Sequence, residues 1–150
     1  MRILIFGLSG AGKTTLAEQL QPILKERGLP VTRINGDEVR KRYNDWDFSD
    51  EGRIRQAIRI DAEAKMCEHT LIDFIAPFQE QRDIIDADFT IWMDTTKSSQ
   101  YYDTDQKFQR PKYTNLTIFN LLYNAEDIST QIIHAYNQQF LNNYFAEEGC

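Results

Sequence analysis

Gly7-Leu8-Ser9-Gly10-Ala11-Gly12-Lys13-Thr14 follows directly on the apolar run Ile3-Leu4-Ile5-Phe6 and leads into Leu16, Ala17 and Leu20. A G-x-x-x-x-G-K-T loop thus sits between a strand pattern and a helix pattern, the context in which such a loop cradles phosphate. Its glycines let successive backbone N–H groups curl toward one point, and the helix N-terminus behind them adds a positive field. The stretch predicts a nucleotide site built from Gly7, Ser9, Gly10, Ala11, Gly12, Lys13, Thr14 and Thr15. Lys13 is expected to reach the terminal phosphates and Thr14 to ligate Mg²⁺.

Working outward, residues 2–6 read as a strand and about 13–27 as a helix stopped by Gly28 before Pro30. Val31–Ile34 reads as a second strand, followed by a turn at 35–40. Ser49 can cap a helix over about 50–69, with Asp50 and Glu51 in its first turn and Ile54, Ile58, Ala62 and Met66 as an apolar stripe. Leu71–Ile75, Phe89–Met93 and Leu116–Phe119 read as further strands, 79–85 as a short helix and Asp127–Leu141 as a final one. This alternation predicts an α/β three-layer sandwich, a parallel five-stranded sheet with helices on both faces.

The chain has 150 residues, 41% of them hydrophobic and 12% aromatic, enough for a single core and one domain over 1–150. No apolar stretch approaches the roughly 20 residues of a membrane span. The first strand runs straight into the phosphate loop, so it does not read as a cleaved signal, and a cytoplasmic location is expected. Two cysteines, Cys67 and Cys150, point to a reducing compartment without a disulfide framework. The net charge of −6 argues against a nucleic-acid partner. That average hides an asymmetry: residues 1–59 carry 11 Lys and Arg against 8 acids, and residues 60–150 carry 6 against 15. Anion-handling groups are therefore concentrated early.

In such sheets ligands collect beyond the carboxyl ends of the strands. The second strand delivers Asn35-Gly36-Asp37-Glu38-Val39-Arg40 there, placing a carboxylate and a guanidinium near one crevice. Asp37 can take a proton from an attacking hydroxyl, hold Mg²⁺ or simply cap a turn, and Arg40 can grip an anion. The third strand delivers Asp73, a candidate metal residue or a cap. Arg53 and Gln56 lie three apart on one helical face, while Arg55 and Arg59 share another and read as solvated or salt-bridged.

The loop at 7–14, G-D-E-V-R at 36–40, F-S-D-E-G-R at 48–53 and I-A-P-F at 75–78 occur in the order found in the adenylylsulfate kinase family, which the chain resembles over roughly residues 1–95. The resemblance implies a P-loop kinase of the nucleoside-monophosphate-kinase-like type. Such enzymes pass the terminal phosphate of ATP to the 3′-hydroxyl of adenosine 5′-phosphosulfate. It implies Asp37 as the group activating that hydroxyl, Arg40 and Arg53 on the acceptor's anion, and Phe48 on its adenine. Gln56 stands where the family has Asn, and Ile75, Ala76, Pro77 and Phe78 form the loop closing over the acceptor. The metal set is then Thr14 and Asp37, with Asp73 in reach, and a homodimer is implied.

Departures accompany the likeness. Asn35 replaces the first Asp of the family's D-G-D, Ile58 replaces an Arg, and Ala76 replaces the loop Ser. Beyond Asp94 the likeness nearly vanishes, and in the lid-like insertion at about 96–113 the cations available to a transferring phosphoryl group are Lys107, Arg110 and Lys112. Two other readings stay open: a kinase for another nucleotide or small hydroxylated acceptor, and an ATP-binding regulatory module with little turnover.

Overall fold

The computed structural model describes residues 1–149 as a parallel sheet between two helical layers. The strands are β1 (Arg2–Phe6), β2 (Thr32–Asn35), β3 (Thr70–Asp73), β4 (Phe89–Met93) and β5 (Leu116–Ile118), in the spatial order β2-β3-β1-β4-β5. The helices are α1 (Lys13–Glu26), α2 (Gly36–Tyr43), α3 (Asp50–Ala64), α4 (Gln79–Ile85), α5 (Tyr102–Lys107) and α6 (Ala125–Glu148). Cys150 lies outside the described residues.

Each central strand is apolar on both faces, so its alternate side chains feed two separate cores. Ile3, Ile5, Leu71 and Ile91 pack with Leu16, Leu20, Leu24, Ile128 and Ile132 under α1 and α6. Leu4, Phe6, Ile72 and Trp92 pack with Ala57, Ile60 and Ile85 under α3 and α4. The register sets Ile5 and Asn35 beside Asp73, which brings the ends of β1, β2 and β3 level at one edge. Gly7 turns the chain away from β1 at φ +148, where a Cβ would sit 2.6 Å from the Met93 carbonyl oxygen.

Several expectations need correction. Residues 36–43, expected to begin as a turn, form α2, because the Asn35 side chain caps it by accepting from the Glu38 N–H at 3.1 Å. Helix α3 stops at Ala64 rather than near 69, and the buried face is Arg53, Gln56, Ala57, Ile60 and Ala64, not the 54-58-62-66 stripe. Ile58 and Met66 are exposed. The polar residues win that face because they are hydrogen-bonded where they are buried. Within the lid-like insertion, 102–107 is helical, and α6 runs on to Glu148.

Phe108, just beyond α5, joins a pile of stacked rings with Phe6 and Trp92 at centroid distances of 6.2–6.4 Å. The Gln109 N–H donates to the Pro77 carbonyl at 2.8 Å. These contacts lash the end of the insertion to the 75–78 loop and to β4.

Candidate active site

A cleft of about 660 Å³ opens at the carboxyl edge of the sheet. One half is the phosphate loop, with Ser9, Gly10, Gly12, Lys13, Thr14 and Thr15 on its wall. The other half collects Asp37 and Arg40 from α2, Phe48, Arg53 and Gln56 from α3 and the loop before it, and Ile75, Ala76 and Pro77 after β3. Lys13 and Arg53, distant in sequence, thus come to line one space because β1, β3 and β2 end level at one edge of the sheet.

On the phosphate side, the Lys13 amine folds back to donate to the Leu8 carbonyl at 2.8 Å. Burial pulls its pKa down to about 8, against the attraction of Asp73 and Asp37. The Thr14 hydroxyl lies 3.4 Å from Asp73 Oδ2. Asp73 is 1% exposed and accepts from Arg33 Nε at 3.1 Å, Arg33 Nη2 at 3.2 Å and Asn35 Nδ2 at 2.7 Å. Burial raises its carboxyl above the ordinary range, opposed by Arg33 and Asn35. Thr14, Asp37 and Asp73 together offer only hard oxygen donors, and among the described residues no group of three acids, histidines or cysteines could hold a metal alone. That donor set suits Mg²⁺, which keeps several waters and takes its remaining ligands from a substrate's phosphates.

On the other side, Arg40 is buried, and its Nη1 donates to the carbonyls of Asp45 and Asp47, both at 3.1 Å. Its Nη2 donates to Gln56 Oε1 at 3.2 Å, and the guanidinium lies 4.3 Å over the Phe48 ring. Gln56 Nε2 in turn donates to the Gly36 carbonyl at 3.2 Å. Gly36 has no alternative here, because a Cβ would meet Phe74 Cβ at 2.5 Å. Arg53 donates through Nε to the Phe48 carbonyl at 2.8 Å and through Nη2 to Thr104 Oγ1 at 3.0 Å. The loop that carries the Arg40 seat is itself held by ions: Asp45 accepts from Arg55 at 2.7 Å and Arg59 at 2.6 Å. The hydrogen bond from Arg55 leads in holding the Asp45 carboxyl well below the usual carboxylate range. Arg55 and Arg59 are the salt-bridged pair that their helical spacing predicts.

Not every predicted site residue borders the cleft. Gly7 packs against Met93 and Ala11 is in the core under α1. Phe78 backs the Arg53 guanidinium at 5.9 Å and faces a shallower groove with Ile54 and Ile58. Lys107 pairs with Asp50 at 2.8 Å, and Arg110 lies 5.0 Å over the Trp92 ring, so neither cation lines the cleft. The ring pile that captures Phe108 carries Arg110 away from it. In their place stand Tyr101, Tyr102, Asp103 and Thr104. From the sequence the cations of the insertion are singled out, and these four residues are passed over, as is Gln81. Gln81 ties the 75–78 loop to α3, accepting from the Phe78 N–H at 3.1 Å and donating to the Arg53 carbonyl at 2.9 Å. A Gln at the third position of a short helix was the one signal for it.

A parallel 2-3-1-4-5 sheet whose first strand feeds a glycine-rich phosphate loop into α1 is the P-loop kinase fold. An APS kinase structure from Mycobacterium tuberculosis in complex with AMPPNP and APS shares it, with a TM-score of 0.71 at 22% identity over 91% of this chain and 96% of that one. The chain belongs to the adenylylsulphate kinase family, whose model matches residues 1–117. The match runs past residue 95 through the insertion into β5, further than the motifs alone reveal. An adenylyl-sulfate kinase of Bacillus pumilus is 42% identical over 88 residues, which are 55% of this chain and 45% of that protein. The chain therefore matches less than half the length of that relative. A hexameric APS kinase from Thiobacillus denitrificans has a TM-score of 0.68 at 26% identity, covering 92% of this chain and 29% of that one. Among the described residues no helix is long and apolar enough to cross a membrane.

Proposed function

We propose that this protein is a Mg-ATP-dependent kinase that transfers the terminal phosphoryl group of ATP to the 3′-hydroxyl of adenosine 5′-phosphosulfate. The observation that carries the reading is the single cleft in which a phosphate loop and the cluster Asp37, Arg40, Phe48 and Arg53 face each other. Phosphoryl transfer asks mainly for positioning and charge neutralisation, and on the acceptor side hydrogen bonds position Arg40, Arg53 and Gln56. In this reading the backbone N–H groups of 9–14 and the Lys13 ammonium bind the ATP phosphates. Bound Mg²⁺ would be held by Thr14 and Asp37, with Asp73 behind Thr14, and would neutralise charge on the transferring group. Asp37 accepts the proton of the attacking hydroxyl, Phe48 stacks on the acceptor base, and Arg40 and Arg53 hold its anion with Gln56 setting the Arg40 plane. Self-association belongs to the same reading, supported by the likeness to an enzyme described as hexameric.

A second acceptor class, another nucleotide or a small hydroxylated metabolite, is favoured by one observation: the insertion turns tyrosines and an acid, not cations, toward the cleft. A coupled ADP-release assay decides between them. Adenosine 5′-phosphosulfate is offered beside a panel of nucleoside monophosphates and sugars. Release with adenosine 5′-phosphosulfate alone is the expected result, release only with another acceptor moves the assignment to the second class, and tight ATP binding without release under any condition leaves a regulatory nucleotide module.

A further inference from the structure

Helix α5 lines the cleft through Tyr102, Asp103 and Thr104, and it is strapped there. Thr104 is buried and accepts from Arg53 Nη2, Lys107 donates to Asp50 on α3, and Asp105 accepts from the Ser99 N–H at 2.7 Å and hydroxyl at 2.6 Å. Because Thr104 is pinned, its neighbour Asp103 is held with one carboxylate oxygen 3.7 Å from Arg53 Nη2. Arg53 itself is 3% exposed, so little of its guanidinium remains reachable, whereas Asp103 is mostly solvated and lines the cleft. The other cation facing Asp103 is Lys107, also at 3.7 Å.

From this juxtaposition we infer that Asp103 is a specificity-determining residue, an acid built beside the acceptor's anion site that limits how much negative charge the acceptor brings to Arg53. The inference rests on the reading of Arg53 as that site. An anionic group arriving at Arg53 meets a carboxylate a few ångströms away and must push it toward Lys107 and solvent, while a neutral group does not. Recognition is thereby shifted from charge to the aromatic faces of Phe48, Tyr101 and Tyr102, which stack on a base irrespective of its phosphate. Like charges at this separation in a half-solvated site weaken binding by about three- to tenfold.

The test compares the full chain with Asp103→Asn, a substitution on an exposed side chain that keeps its size. With a non-hydrolysable ATP analogue bound, calorimetry measures the affinities of adenosine, adenosine 5′-monophosphate and adenosine 5′-phosphosulfate. In parallel, inorganic sulfate is titrated while the Arg53 Nε–H signal is followed by NMR. The expected result is a three- to tenfold gain in the variant for both anionic nucleosides and for sulfate, with adenosine unchanged. Equal affinities in the two proteins overturn the inference, and so does an equal gain for adenosine, which would show that the substitution merely loosened α5. The sulfate arm does not depend on which acceptor is phosphorylated. A parent that releases no ADP with adenosine 5′-phosphosulfate yet shows the sulfate effect would sink the proposed function and leave Asp103 standing.

Discussion

In the proposed reaction Lys13 and Asp37 carry most of the chemistry, and they act through opposite dependences on charge. Asp37→Asn keeps the shape of the α2 start and removes the proton acceptor, so kcat is expected to fall by about 10²–10⁴-fold while the KM for ATP changes little, as read by steady-state kinetics. An unchanged kcat would remove Asp37 from the reaction. Burial disfavours the Lys13 charge and pulls its pKa down to about 8. A polyphosphate beside it favours the charged form and raises that pKa. Nucleotide binding at pH 8.5 should therefore take up protons, and affinity should fall as pH rises through 8. Calorimetry in buffers of different ionisation enthalpy measures the uptake, which Lys13→Met should abolish. The positions of Lys13 and Asp73 were legible from the loop motif and the end of the third strand, but the partners of Asp73 were not: only the alignment of β2 with β3 brings Arg33 and Asn35 onto that carboxylate.

At the scale of elements, the loop 44–49 shows how one helix depends on another. Its carbonyls seat Arg40, and its own shape depends on Asp45 gripping Arg55 and Arg59 of α3. Asp45→Asn should leave the KM for ATP alone and raise the acceptor KM severalfold, with the effect growing at low salt where the ion pairs matter most. Equal KM values for acceptor in the two proteins would mean that the loop holds without those ions. The short helices were the least readable elements. Helix α2 has Val39 as its one buried large apolar side chain and α5 has none, so neither shows the 3.6-residue periodicity that identifies a helix. Their existence is decided by the Asn35 cap and by contacts from Arg53 and Asp50. Helix α3 was readable as a helix but not as to its face, because its inward residues include Arg53 and Gln56, whose burial depends on partners supplied by α2, α4 and α5.

At the scale of the whole molecule, the described residues of α6 that are buried lie in its first half. Ile128, Ser129 and Ile132 are buried against α1 and the sheet, whereas Phe140, Leu141, Tyr144 and Phe145 are exposed. Ile132→Ala should therefore cost about 2–5 kcal/mol in urea denaturation, and Phe140→Ala should stay within about 0.5 kcal/mol. A large loss for Phe140→Ala at low protein concentration would reveal a packed partner for that half of the helix. The amino-acid order alone determined the phosphate loop, the alternation of apolar strands with helices and the parallel sheet, since each follows from interactions among residues close in sequence or from a two-sided apolar pattern. The tertiary structure alone decided which charges meet. The pairing of Asp73 with Arg33, the diversion of Arg110 to Trp92 and the arrival of Asp103 beside Arg53 are contacts between distant segments, and a long-range contact leaves no periodicity in the chain that makes it.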